Sequence, residues 1–426
     1  MLNAFSGLFK KKTQVWTDEL ASQEEFSADS HILVPRSAFD ARNEEPAKLV
    51  GAVVDYVNFL TQQARYQRAE ICEAAMWAYH TDFYLAQVNN GGHEQFILNS
   101  RRLLDVVLAD VLFGLKSMNA KEHLMLARRM SQWVLEHEDA LHGQSPLPTD
   151  GLDPLVDLDQ PFFALESLQP MVAKNAAWLA THPALRVVSD EDLDGELEKI
   201  AAANPHLAIR SEIQTVQSLN AMISQYPSVS IAAAAGAQSK PQPLVAIGGG
   251  AMMEVEGKQR LTFTVRTVAG LKWCAVTDEG AALYERLDQE EAADLSDVLN
   301  ATMDDISGYE QPEVGERLSF VSAKQIEAAA LIAQRLDVGA AIHLLLQKIE
   351  QPTKVDYLTI RSAGPDHNGV LGMSLLVVLN NMSVAMSVIV TEHHAILLEE
   401  PTHQEIARVS MEDVAAYAES LAPEQL

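Results

Sequence analysis

Cysteine is nearly absent from this chain. Cys72 and Cys274 are the only two in 426 residues, so neither a disulfide framework nor a cysteine-built metal site can be assembled from it. Both have apolar neighbours, which fits buried thiols in a reducing compartment. Positive charge is also scarce: 31 Lys and Arg stand against 59 Asp and Glu, a formal net charge of −28. A surface of that sign repels nucleic acid and anionic membrane, so direct binding to nucleic acid is not expected and a macromolecular partner should be basic. Val370 to Thr391 is a run of 22 residues without a charge. A membrane span there would bury Asn380 and Asn381 at its midpoint, which hydrocarbon penalises. An Asn-Asn turn between two buried strands accounts for the same letters. At the start, Met1 to Phe9 is too short for a signal peptide, and Lys10-Lys11-Lys12 follows it instead of preceding it. Leu2, Phe5, Leu8 and Phe9 trace a weak amphipathic stripe, read as a packed or frayed terminus rather than an interfacial membrane helix. The chain is read as cytoplasmic.

Reactive constellations are the other absence. Ala246-Ile247-Gly248-Gly249-Gly250-Ala251 lacks the Lys-Ser/Thr pair and the following helix of a phosphate loop, and reads as a bulged strand. His137 and His142, five apart, fall on different faces of a helix, and the adjacent His393 and His394 point to opposite faces of a strand or turn. Asp150-Gly151-Leu152-Asp153-Pro154 lacks the alternate carboxylates of a calcium loop. Asp366-His367 reads as a loop tip, and no Gly-x-Ser-x-Gly elbow offers a serine nucleophile. No catalytic residue, metal site or cofactor is therefore assigned, and the enzyme reading leans negative.

What is present is apolar patterning, with 48% hydrophobic residues and a length that suits two to four domains. Residues 1–46 are polar and read as an arm. From Ala47 the period is helical: Leu49, Val53, Tyr56, Val57 and Leu60 share a stripe, and a second helix runs through Ile71, Ala75, Ala78, Tyr79, Phe83 and Val88. Asn89-Asn90-Gly91-Gly92 then makes an elbow, with Asn90 and the two glycines accepting left-handed backbone. After it, Phe96 and Ile97 turn inward while Gln95 and Asn99 can bond the elbow's free backbone groups. Helices through Leu103–Leu115 and Leu124–Leu135 complete a bundle. Asp159 is expected to cap a further helix with Pro161 in its first turn, running to about Ala180 and packing Phe162, Phe163, Leu165 and Leu168 on the bundle. The boundary is placed at His182-Pro183.

Beyond it an internal duplication is expected, 183–317 and 318–426, each an α+β module with helix, helix, three or four antiparallel strands, and helix. Leu185, Val188, Ser189 and Leu193 recur as Leu318, Val321, Ser322 and Ile326. Gly236, closing an apolar strand, returns as Gly364. Val276-Thr277-Asp278 with Ala281, Leu283 and Glu285 returns as Val390-Thr391-Glu392 with Ala395, Leu397 and Glu399. The fold class is thus multidomain: an N-terminal all-α bundle, then two tandem α+β modules with antiparallel sheets.

Over Gln87 to Ser100 the sequence resembles the bacterial DNA-mimic-protein-like family, whose signature is Glu-Val-x-Asn-Gly-Gly-Phe-x-Gln-Phe-x-x-Asn. The likeness extends from about Ala47 to Ala180, and Leu158-Asp159-Gln160-Pro161-Phe162-Phe163 is similar to the family's Leu-Asp-x-x-Phe ending. Gln87 and His93 depart from the family's Glu and Phe. The resemblance implies a helical domain, often dimeric, and through at least one member a mechanism that imitates the charge of DNA to occupy a DNA-binding protein.

Two functions follow as expectations. The first is a non-catalytic acidic interaction protein with a basic or nucleic-acid-binding protein partner, engaged through the Asp278–Glu316 region or a concave face between modules; that region holds 13 acidic residues against Arg286 alone, and its plainer reading is a solvated helix face plus a loop. The second is a small-molecule receptor or enzyme with a polar site at Asn90, Gly91, Gly92, His93, Gln95 and Asn99, near Tyr84. A structural role for Gln95 and Asn99, locking the turn, competes with the second.

Overall fold

The computed structural model describes residues 31–137, 153–287, 313–349, 355–379, 384–400 and 402–421. The chain divides into two compact units, Met1–Ala208 and Ile209–Leu426. The expected all-α bundle followed by antiparallel α+β architecture is what the fold contains.

In the first unit the order is β1 (Ile32–Pro35), α1 (Arg36–Ala41), α2 (Pro46–Gln62), α3 (Glu73–Ser100), α4 (Leu104–Ser117), α5 (Lys121–Glu136), α6 (Asp153–Leu168), α7 (Met171–Ala180), β2 (Leu185–Val188) and α8 (Leu193–Ala203). The stripe read on α2 is its buried face, with Leu49, Val53, Tyr56, Val57 and Leu60 all in the core. Of the stretch read as a polar arm, Ile32–Pro35 instead forms a buried strand pairing in parallel with β2. Tyr56 Oη secures that strand by donating to the His31 carbonyl. Residues 1–30 lie outside the described residues. Leu185–Val188, expected to open the first α+β module, is therefore β1's partner, and its match to Leu318–Ile326 reflects only a strand running into a helix in both places.

The closing helix also differs. Asp159 is not a cap: α6 starts at Asp153, carries Pro161 inside it and stops at Leu168, after which Pro170 precedes the separate α7. Phe162 is buried and Phe163 and Leu165 pack behind it, but Leu168 is 79% exposed.

The second unit opens with α9 (Leu207–Ser224) and α10 (Ser228–Gly236). A five-stranded sheet follows, β3 (Leu244–Val255), β4 (Lys258–Thr267), β5 (Gly270–Thr277), β6 (Gly280–Arg286) and β7 (Val314–Ser322), then α11 (Ala323–Arg335) and α12 (Val338–Gln347). A second sheet comprises β8 (Val355–Pro365), β9 (Leu371–Leu379), β10 (Val384–Thr391), β11 (His394–Glu399) and β12 (Glu405–Ser410), closed by α13 (Met411–Ser420). Both sheets are antiparallel meanders in which each strand pairs with its sequence neighbours, five strands each where three or four were expected. The Gly248–Gly250 stretch lies in β3, where the register shifts between Ile247 and Gly250, as the bulge reading requires. β9 and β10 form the antiparallel pair read from Val370–Thr391; Asn380 and Asn381 lie outside the described residues.

One apolar core joins the inner faces of both sheets to the helices. The alanine-rich α10 is buried from Val229 to Gly236 and packs on β5, β6 and β7 of one sheet and on β8 of the other. Gly236 closes this helix, not a strand, and its lack of Cβ is required: a methyl there would fall 1.7 Å from the Ile360 carbonyl oxygen. Gly364 sits in β8 and is not its equivalent.

The other matched stretch does align. Thr277 and Thr391 end β5 and β10, and each hydroxyl donates to the carbonyl three residues on, of Gly280 and His394. Each also accepts a backbone N–H two residues on, from Glu279 and His393. Ser322 and Ser410, which pair with Gly280 and His394, then cap α11 and α13 by accepting the N–H of Gln325 and Asp413.

Candidate functional site

The elbow is a kink inside α3, not a chain reversal. Gly91 is extended (φ −166°) and Gly92 alone takes the left-handed region (φ 75°), while Asn90 stays helical. Gly92 is needed for a second reason. A Cβ there would lie 2.3 Å from Asp159 Oδ2, because α6 drives that carboxylate into the gap the kink opens. Asp159 Oδ1 accepts the His93 backbone N–H at 3.0 Å and pairs with His93 Nδ1 at 2.6 Å. Asp159 thus satisfies a backbone donor that the broken helix leaves free.

A carboxylate only accepts, so His93 carries its hydrogen on Nδ1, and Nε2 accepts from Tyr84 Oη at 2.8 Å. Tyr84 and His93 are 0% exposed. Burial lowers the His93 pKa, opposed by Asp159, and burial raises that of Tyr84, reinforced by the Asp159 and Glu166 charges. The resulting chain, Tyr84 to His93 to Asp159, orders its donors as a proton relay does; Tyr84 and His93 are buried, the Asp159 carboxylate is partly exposed, and the three together clasp α3 to α6.

Phe162 packs edge-on against Tyr84, His93 and His123. One α6 turn on, Glu166 pairs with His123 Nε2 at 2.6 Å and accepts the Met171 N–H that starts α7. A third clasp lies between α3 and α4, where Asp110, 1% exposed, accepts from His80 Nδ1 at 2.7 Å and from Arg68.

Gln95 and Asn99 share a face, as their spacing predicts, but they do not bond the free backbone. Both amides donate to Gln87 Oε1, bridging the kink side chain to side chain. Gly91 belongs to this bridge, since a Cβ there would meet Gln95 Oε1 at 2.1 Å. The structure therefore brings Gly91, Gly92, His93, Gln95 and Asn99 together, with Asn90 exposed beside them. Sequence reading missed Asp159, Tyr84's hydroxyl contact and Asp110. The available signal was a carboxylate in the closing Leu158-Asp159 pair set against an unexplained double glycine.

Elsewhere, His137 lies over Trp133 and bonds its carbonyl, and Asp366 accepts the N–H of Asn368 and Val370 to shape its loop tip. His142 and Asp150–Leu152 lie outside the described residues. Two cavities lie away from the kink: one of about 450 Å³ lined by Glu254, Glu256, Tyr284 and Glu313, and one of about 170 Å³ lined by Arg42, Asn43 and alanines of α7. Among the described residues no single helix is long and apolar enough to cross a membrane.

Residues 69–182 match the family model described as DMP19-like protein, a segment that runs from the turn before α3 past the end of α7 and contains every clasp residue except Arg68. No curated protein and no solved structure matches the chain.

Proposed function

We propose, starting from the DMP19-like match over residues 69–182, that this is a non-catalytic acidic interaction protein that engages a basic, DNA-binding protein partner. The observation that carries the reading is that the motif's polar groups bond one another inside the first unit. Gln87, Gln95 and Asn99 close one bridge and Tyr84, His93 and Asp159 another. That use favours turn-locking over a ligand site at the kink, and it leaves exposed carboxylates as the groups available to a partner. Beyond the matched segment, Asp190, Glu191 and Asp192 on the turn into α8, and Asp194 and Glu198 within α8, are exposed. A DNA-mimicking role fits carboxylates standing where phosphates would. We read the second unit as two copies of one module, supported by the shared connectivity and the paired Thr and Ser bonds, and place the chain in the cytoplasm, with a homodimer compatible with the family likeness.

The test is capture from lysate on immobilised full-length chain. Retained proteins are expected to be basic and DNA-binding, released by salt and displaced by added duplex DNA. Retention of no basic protein, or release insensitive to both agents, defeats the reading.

A further inference from the structure

The larger cavity lies on the first sheet, on the face turned away from the main core. That face carries a small second core of Met253, Val255, Trp273, Ala275, Ala282 and Tyr284. At its rim the β3–β4 hairpin turns through Glu256 and Gly257, both at positive φ (51° and 74°). Two-residue turns of this hand match the twist of the strands, and Asn or Gly usually stands where Glu256 does. Arg260 and Arg317 bond the Glu256 carboxylate at 3.1 and 3.3 Å and fix it at the mouth. Both arginines go to this one group. Glu254 and Glu313, which also line the cavity, are exposed and make no ion pair among the described residues.

Tyr284 forms the inner wall. Its residue is 1% exposed, yet its buried hydroxyl makes no hydrogen bond of acceptable geometry, although Glu256 lies close enough to help burial raise its pKa. A buried hydroxyl without a partner costs roughly 1–3 kcal/mol, so one lining an open acidic cavity marks a place for a donor. Trp273, directly across the ladder from Tyr284, already has the Arg286 guanidinium over its ring at 5.0 Å. The same sheet face thus accommodates a flat cation.

We infer that this cleft, bounded by Glu254, Glu313 and Tyr284, receives an arginine side chain of the basic partner. This rests on the interaction reading above and gives it a contact point. A guanidinium presents five N–H donors in one plane, enough for two carboxylates and a phenol oxygen together, whereas a lysine ammonium is a point charge with three. Tyr284, Glu313 and Gly315, which line the cleft, belong to the acidic Asp278–Glu316 stretch of the sequence, whose net negative charge favours the approach of cations.

The experiment is calorimetric titration of the full-length protein with hexa-arginine and hexa-lysine peptides at low and at about 0.3 M salt. Wild type is expected to bind hexa-arginine more tightly than hexa-lysine, with salt weakening both. Glu254→Gln with Glu313→Gln should weaken hexa-arginine binding about tenfold and erase the arginine preference, and Tyr284→Phe about threefold. The control Glu327→Gln with Glu419→Gln removes the same charge from exposed helix positions and should change it less than about twofold. If the cleft variants bind hexa-arginine as the control does, the cleft assignment falls and the acidic-interaction reading stands. If wild type binds neither peptide at low salt, both fall.

Discussion

Buried polar side chains in the two units are of different kinds. Those of the helical unit include the imidazoles of His93 and His123, the carboxylate of Asp110 and the amides of Asn175 and Asn204. Among the described residues of the sheet unit they are hydroxyls only: Ser230, Thr262, Thr267, Ser319, Thr359 and Ser387. The difference follows from how each fold satisfies its backbone. A meander fixes its register through ladder bonds and the alternation of inward and outward residues, so its core can be apolar throughout. Helices bond only within themselves, and apolar stripes slide past one another with little penalty. Ionisable pairs set at one depth supply the register that a ladder supplies to strands, and a kink such as that at Gly92 leaves free donors that such pairs can also serve.

The contrast can be broken most forcefully at its two close approaches. Gly236→Ala pushes a methyl against the Ile360 backbone, where no side chain can yield, and should cost about 4 kcal/mol or abolish folding of the second unit. Gly92→Ala meets the Asp159 side chain, which can swing away only by releasing His93, and it also strains φ. About 3 kcal/mol is expected. Denaturant titration with hydrogen exchange resolved by segment should place each loss in its own unit; a loss spread evenly over both would refute the separation.

Next in size, Asp110→Asn keeps the shape of the α3–α4 clasp but leaves Arg68 and His80 facing a neutral amide. Roughly 2 kcal/mol should be lost, measured by urea denaturation. The hydroxyl counterpart Thr359→Val, which removes only the acceptor for the Leu244 N–H, should cost nearer 1 kcal/mol.

Acid provides a finer test. His93 holds its pKa below the ordinary 6.5 because burial disfavours the imidazolium. Above that pH the ring is neutral folded or unfolded and contributes no slope. Below it the unfolded chain takes up a proton that the folded chain resists, so stability falls as pH drops from about 6.5 through the folded value. His93→Phe should remove that part of the acid-side loss, read as α3 exchange rates between about pH 7.5 and 5.5. His343 in the second unit is shifted the same way, also by burial, so the slope of α12 should survive the substitution. An unchanged slope in α3 would show that His93 is not the titrating group.

The smallest effects test the likeness of the two sheets. Ser322→Ala and Ser410→Ala each remove one helix cap and should each cost about 1 kcal/mol in thermal unfolding, with matching values. A clear inequality would argue against equivalent positions.

Local features were legible in the sequence. The α2 stripe, the Asn-Asn-Gly-Gly break and the β3 bulge are each set by a few neighbouring residues, and each was found; Thr277 and Thr391 were matched to one another, but not as turns. What failed depended on distant partners. Asp159 reaches His93 across 66 positions, and β1 pairs with a strand about 150 residues on, so Ile32-Leu33-Val34 inside polar sequence read as a tether. The Ser322/Ser410 match was hidden by unequal connections: residues 287–313 join β6 to β7, but only 400–404 join β11 to β12. Gly236 and Gly364 share a letter and nothing else, since glycine admits either a close approach or an unusual φ, and the letter does not say which.

The thin alanine helix α10 makes the two sheets of the second unit depend on one another. Its methyl groups form a spacer for which each meander is one wall, so either half expressed without the other would offer a broad greasy slab to solvent.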